Sequence, residues 1–413
     1  MHNVLKSTRL LRKTPAGLRS EGYQLRTITK AITTVSVTIA CVVGMVASPA
    51  AGSPDLVATT VDGAFRPLMA RYGVPGIAVA VTVDGKHRYF SYGVAAKDGG
   101  APVRPESLFE IGSLSKTFTA TLVSYALALG RISLDDHPGK YLPNLLGSAV
   151  DQASLLHLGT YTAGGLPLQF PAEVTNDAQM QSYFQQWRPD AAPGQQRRYS
   201  NPSIALLGYL TAIAMNKSFT DLVQGDILPG LGLIDTYIEV PQTRMQDYAW
   251  GYSAGDEPVR VAPGVLSAEA YGVKSSAADM LRFVEANISP NSLAEPFGGA
   301  VSGTHVGYFD VNGMVQGPGW EQYRYPVSLD ALLAGNSDTM AMQPNPVSPI
   351  MSPTKSGPTL FNKTGSTDGF GAYVAFVPEK RIGIVMLANK NVPNAARVSA
   401  AYTVLQVLSA QHA

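Results

Sequence analysis

The apolar positions of this chain change period several times, and each change marks an element. Residues 77–83 form an apolar, β-branched run, and residues 88–93 follow after Asp84-Gly85. Two such runs joined by Asp-Gly predict a β-hairpin, because Asp and Gly tolerate the positive φ of a tight hairpin turn. Ahead of them, Ser53 or Asp55 can cap a helix running to about Tyr72, which Gly73 and Pro75 end. The far end mirrors this. Residues 371–377 and 381–389 read as two buried strands about the turn Pro378-Glu379-Lys380. Asn394 then caps a last helix, in which Val398, Tyr402, Leu405 and Leu408 recur at helical spacing. Between the two ends, roughly over residues 114–349, helices and long loops prevail. The pattern predicts an α/β (α+β) fold: an antiparallel sheet built from both chain ends and flanked by helices, with a mostly helical domain inserted. A ligand belongs in the cleft between the two parts.

The first fifty residues follow a different pattern. Lys6, Arg9, Arg12, Lys13, Arg19, Arg26 and Lys30 precede an uncharged apolar stretch at 31–46, and small residues fill 47–52. That is the order of a secretory signal, and it predicts cleavage near residues 50–52, a mature domain over 53–413 and a periplasmic location. The alternative is a membrane anchor, but the apolar run falls short of the ~20 residues a spanning helix needs. The mature chain is expected to be free of the membrane. It would also lose Cys41, the one cysteine, so neither a disulfide nor a cysteine zinc site is available.

Composition narrows the function classes. The 31 basic and 30 acidic side chains nearly cancel, which removes the positive footprint that nucleic-acid binding requires. Charged residues are 15% and apolar residues 45% of the chain, so it can bury a core. The 40 glycines and 29 prolines suit an enzyme with many shaped loops. No two of the six histidines are spaced i,i+4, so no helix face carries a pair of them, and no metal or cofactor is expected.

Three short patterns can carry chemistry. Ser113-Leu114-Ser115-Lys116 follows Gly112 and opens an amphipathic helix through Phe118, Leu122, Tyr125 and Leu129, with Gly130 at its end. Serine and lysine three apart share a helix face, which offers a nucleophile, an amine to handle its proton, and free N–H groups at the helix start. Ser352-Pro353-Thr354-Lys355 matches the same spacing, but its prolines cannot start such a helix. The second pattern is Tyr199-Ser200-Asn201. A phenol with its ordinary pKa near 10 is a poor base, and lowering it by ~3 units takes about 4 kcal/mol, which two nearby ammonium groups can largely supply. The third, Lys363-Thr364-Gly365, enters the strand at 371–377 through Ser366, Thr367 and Asp368. It offers a cation for a carboxylate and a glycine that permits close approach of a ligand. Taken singly, each pattern is more often a helix cap or a turn; in this order and these contexts, coincidence is improbable.

The three together resemble the signatures of the serine β-lactamase and penicillin-binding-protein superfamily, and Tyr199-Ser200-Asn201 is the class C form of the middle motif. The resemblance extends through residues 157–169 (HLGTYTAGGLPLQ), 270–275 (AYGVKS) and 371–397, and covers nearly all of 53–409. It implies a β-lactamase/transpeptidase-like fold and hydrolysis of penicillins and cephalosporins through a serine acyl-enzyme, with resistance as the outcome. By that resemblance Ser113 is the nucleophile, and Lys116 and Tyr199 share the base work, with Lys363 beside them. Gln169 and Asn201 bind the substrate's side-chain amide, and Tyr271 lines its pocket. Thr364, Gly365, Ser366, Asn391 and Asn394 complete the substrate site, the N–H groups of Ser113 and Ser366 forming the oxyanion hole. The implied partner is a small β-lactam, and the implied state is a monomer.

The chain departs from the family at Asp368, where Gly or Asn is usual, and at Asn362, where His is common. Asp368 is expected to point out of the cleft. Three other readings share the fold: a class C-like esterase, a DD-peptidase or penicillin-binding protein, and a non-catalytic β-lactam sensor.

Overall fold

The computed structural model describes residues 55–351 and 357–411. The expected signal segment and the second Ser-x-x-Lys match at 352–355 lie outside the described residues.

Among the described residues, nine strands form one antiparallel sheet. From one edge the order is Ser348–Pro349, Phe309–Val311, Met314–Gln316, Glu321–Arg324, Thr359–Ser366, Gly371–Val377, Ile382–Ala388, Gly76–Val83 and Lys86–Gly93. The two ends of the described chain meet in it: Ile77 lies opposite Ala388 on one side and Tyr92 on the other. Successive strand residues point to opposite faces. Ile77, Val79 and Val81 therefore join a core with Val61, Phe65, Val398, Leu405 and Leu408, from the helices Leu56–Tyr72 and Asn394–Gln411. Ala78 and Ala80 face the opposite way, into a core with Leu281, Phe283 and Val284 of the helix Ala277–Ile288. Cover on both faces is why the strands Gly371–Val377 and Ile382–Ala388 are apolar throughout rather than alternating.

The helix ends follow their expected chemistry with one difference. Asp55 caps Leu56–Tyr72 by accepting from the Ala58 N–H, and Gly73 closes it at φ +60°. Asn394 is the first residue of the last helix rather than a cap ahead of it.

The helical part ends earlier than its pattern suggested. Residues 309–324 return to the sheet as three short strands, not as helix or loop. The tight turn between the first two places Asn312 and Gly313 at positive φ, the Asn-Gly signal of a hairpin. Strands of three residues are too short to show a period of two.

The helix Ser115–Ala128 joins the two parts. Leu114 and Phe118 pack into the core beneath the sheet, while Val123 and Ala126 pack into the helical core with Leu158, Phe184 and Leu207. Whatever stands at its N-terminus is held from both sides.

Candidate active site

Ser113 occupies a single 3₁₀ turn, Gly112–Leu114, directly ahead of that helix. The serine thus lies just outside the α-helix it was expected to open, yet the geometry survives: Lys116 Nζ donates to Ser113 Oγ at 2.9 Å and to the Ala270 carbonyl at 2.8 Å. Two glycines let the third motif close on this turn. Gly112 has φ +52°, and a Cβ there would come within 2.4 Å of the Ser366 nitrogen. A Cβ on Gly365 would come within 2.0 Å of the Ile111 carbonyl. Only bare backbone on both sides allows the strand Thr359–Ser366 to lie against the serine turn.

Tyr199 enters from the helical part, between the short strand Gln196–Arg197 and the helix Asn201–Ala214. Ser200 caps that helix by accepting from the Ser203 N–H at 3.1 Å, which fixes the direction of the phenol. Lys116 Nζ lies 5.1 Å and Lys363 Nζ 4.9 Å from the Tyr199 ring centroid. The phenol oxygen is buried, with the Ser113 hydroxyl and the Lys116 ammonium beside it.

Charge and burial compete at this point. Burial pushes the Lys116 ammonium down to about 8, Lys363 adding to the fall while the phenol and Glu321 oppose it. Burial alone would push the Tyr199 phenol up, but the ammonium groups of Lys116 and Lys363 outweigh it and bring it down to about 8. Burial also works against the Lys363 cation, but Glu321 and the phenol prevail and hold its pKa above the ordinary lysine value. Glu321 Oε1 is 3.5 Å from Lys363 Nζ and 3.4 Å from Arg197 Nη2. Arg197 is itself buried, donating to Gln316 Oε1 at 2.6 Å and to the Met340 carbonyl at 2.9 Å. A hydroxyl beside an amine, a phenol poised near neutrality and an anchored cation can together deprotonate a nucleophile and receive an anionic substrate.

These groups floor a cleft of about 700 Å³. Ser113, Gln169, Tyr199, Asn201, Tyr271, Lys363, Thr364, Gly365, Ser366, Asn391 and Asn394 all line it. Lys116 lies behind the surface, with none of its area exposed. Asn201 Oδ1 is buried without a partner, so it is free to accept from a ligand amide. Asp368 is exposed and lies among the residues at the rim of the cleft. It follows Ser366 at the strand end, where the chain turns over the cleft mouth.

The comparisons with known proteins agree with this geometry. Residues 61–409 match the family described as Beta-lactamase. The chain belongs to the beta-lactamase family. A beta-lactamase of Pseudomonas fluorescens is 53% identical over 350 residues, 84% of this chain and 98% of the relative. A solved Beta-Lactamase/D-Alanine Carboxypeptidase from Pseudomonas syringae superposes with a TM-score of 0.83 at 48% identity, covering 85% of this chain and 99% of the other. A class C beta-lactamase in complex with cefoxitin gives a TM-score of 0.82 at 45% identity, over 85% of this chain and 99% of the other. The class C resemblance and the β-lactamase/transpeptidase-like fold expected from the three motifs are both shown, and the chain is a serine β-lactamase.

Several groups of this β-lactamase's cleft escaped the sequence reading. Arg197 stands two residues ahead of Tyr199, and nothing in its spacing marks it. Glu321 opens the short strand Glu321–Arg324, whose Gln322 and Arg324 are also polar, so nothing in the local pattern marked it as buried. Arg397, fully buried, donates to the Ala372 carbonyl at 2.9 Å, to Ser366 Oγ at 2.8 Å and to Asn394 Oδ1, so it braces two substrate-site residues at once. Its position in a helical pattern gave no sign of this. Asn362, the departure beside Lys363, donates to the Glu321 carbonyl at 3.1 Å and accepts from Asn336 at 2.9 Å. It braces the floor from beneath and does not line the cleft.

Proposed function

We propose that this β-lactamase opens the lactam amide of penicillins and cephalosporins with Ser113. The observation that carries the assignment is the 2.9 Å contact between Lys116 Nζ and Ser113 Oγ, with the Tyr199 phenol between two ammonium groups. Ser113 Oγ bonds to the lactam carbonyl carbon, and its proton passes to the Lys116–Tyr199 pair. The carbon–nitrogen bond breaks, and the pair returns the proton to the leaving nitrogen. Water then attacks the acyl carbon, giving up its proton to Tyr199, and Tyr199 returns that proton to Ser113 Oγ as the ester bond breaks. The N–H groups of Ser113 and Ser366 receive the oxyanion. Lys363 and Thr364, with Asn391 and Asn394 beside them, hold the substrate carboxylate, Gly365 giving it room. Gln169, Asn201 and Tyr271 receive the side chain. The basic, apolar and small-residue order of residues 1–52 supports export, so the working site is a periplasmic monomer free of the membrane.

Ser113→Ala tests the assignment. Turnover of a chromogenic cephalosporin should fall by ~10⁴-fold or more while the melting temperature holds. Retained turnover would pass the nucleophile to another residue. A second reading, D-alanine carboxypeptidase activity at the same serine, is supported by the name of the Pseudomonas syringae neighbour. Release of D-alanine from an acyl-D-alanyl-D-alanine peptide, lost together with cephalosporin turnover in Ser113→Ala, would establish it.

A further inference from the structure

A second surface cavity, of about 540 Å³, lies in the helical part. Its walls include Asp177, Tyr209, Ile213, Phe219, Leu266 and Glu269. Glu269 is only 5% exposed, and among the described residues no other residue donates a hydrogen bond to its carboxyl group. Glu269, Asp177 and Tyr209 line the same cavity, and the Asp177 charge acts on the Glu269 carboxyl. Gly208 makes room on the other side: a Cβ there would come within 2.9 Å of Glu269 Cγ. Among the described residues that line the cavity the one cation is Lys217, which is taken by both oxygens of Asp226 at 2.9 Å. The proposed chemistry at Ser113 makes no use of this carboxyl.

Burying a carboxylate is unfavourable, and among the described residues only its own backbone N–H opposes that cost. Burial first, and Asp177 after it, push the Glu269 carboxyl up to about 7. An anionic ligand would meet two carboxylates, and a neutral one would leave the charge uncompensated. A hard metal ion needs more oxygens than two acidic side chains supply. The apolar side chains beside the carboxyl favour a ligand with a hydrocarbon body.

We propose that this cavity binds a small organic monocation, its ammonium on the Glu269 carboxylate and its apolar body against Ile213, Phe219 and Leu266. The site is distinct from the cleft but joined to it. The Glu269 carbonyl accepts from Thr119 Oγ1 at 2.6 Å, and the next carbonyl, of Ala270, holds Lys116 Nζ.

Benzylamine, a cation throughout the range used, is the probe. Calorimetric titration of the purified protein at pH 8 should show saturable binding at one site. Affinity should fall by about 30-fold at pH 5.5, in proportion to the ionised fraction of a carboxyl titrating near 7. Glu269→Gln should weaken binding at pH 8 by ~10-fold or more, and Asp177→Asn, exposed and farther out, by ~2-fold. Should Glu269→Gln fail to fold, the pH comparison and Asp177→Asn carry the test. Phenylboronic acid, which esterifies a serine in the cleft, should not displace the amine. Absence of saturable binding at pH 8, equal affinity at both pH values, or displacement by phenylboronic acid would overturn the proposal, as would unchanged binding in a folded Glu269→Gln protein.

Discussion

The floor and the rim of the catalytic cleft are built differently. On the floor, Lys116, Tyr199, Lys363, Arg197 and Glu321 are all buried, and among the described residues the three cations have only Glu321 and the phenol to answer them. On the rim, Gln169, Ser366, Asp368 and Asn391 stand exposed to solvent. The same kind of charge acts with different force in the two places, because water screens the rim and is excluded from the floor. The floor therefore sets proton positions and the rim sets substrate preference. Changes on the floor should cost orders of magnitude in rate or several kcal/mol in stability, whereas changes on the rim should cost little of either.

After the nucleophile itself, the largest effect is expected at Tyr199. Tyr199→Phe should slow hydrolysis by ~10²–10⁴-fold. In the parent enzyme, kcat/KM should fall about tenfold per pH unit as pH drops below about 8, because the Lys116–Tyr199 pair then takes up the proton that Ser113 must lose. The phenol raises the Lys116 pKa, so removing it should move this limb to lower pH in the residual activity. A limb that stays in place would mean that the two groups do not share a proton.

Next is Glu321→Gln, which keeps the shape and removes the charge. It leaves Lys363 and Arg197 buried without a counterion, and chemical denaturation should show a loss of ~3–5 kcal/mol. A loss below ~1 kcal/mol would show that the floor is as well solvated as the rim.

The smallest effect belongs to Asp368. Asp368→Asn should raise kcat/KM for a dianionic cephalosporin by up to ~5-fold, the scale of an exposed charge pair, and leave a zwitterionic one and the melting temperature unchanged. A change of a hundredfold would place Asp368 in contact with the reacting centre and erase the contrast.

Much of the architecture was legible because its signals are local. The Asp84-Gly85 hairpin, the buried runs ending in Val377 and Ala388 and the periodic last helix depend on neighbours a few residues apart, and the structure reproduces them. The strands at 309–324 were missed because strands of three or four residues carry too little pattern, although Asn312-Gly313 marks the turn between the first two. Ser113, Lys116, Tyr199 and Lys363 were legible through motif order. Glu321, Arg397 and Glu269 were not, since each acquires its importance from what surrounds it in space.

The sequence by itself determined the family, the order of the three motifs and the strand-forming ends, because these rest on residue type and spacing. Tertiary structure decided the rest. Residues 113, 199 and 363 lie on three separate stretches of chain, and bringing them together required two bare glycines, Gly112 against Ser366 and Gly365 against Ile111. Burial then set the charge states. An amine and a phenol that would titrate above pH 10 and near it in water meet at about 8, because the cleft floor excludes water and leaves each to respond to the other.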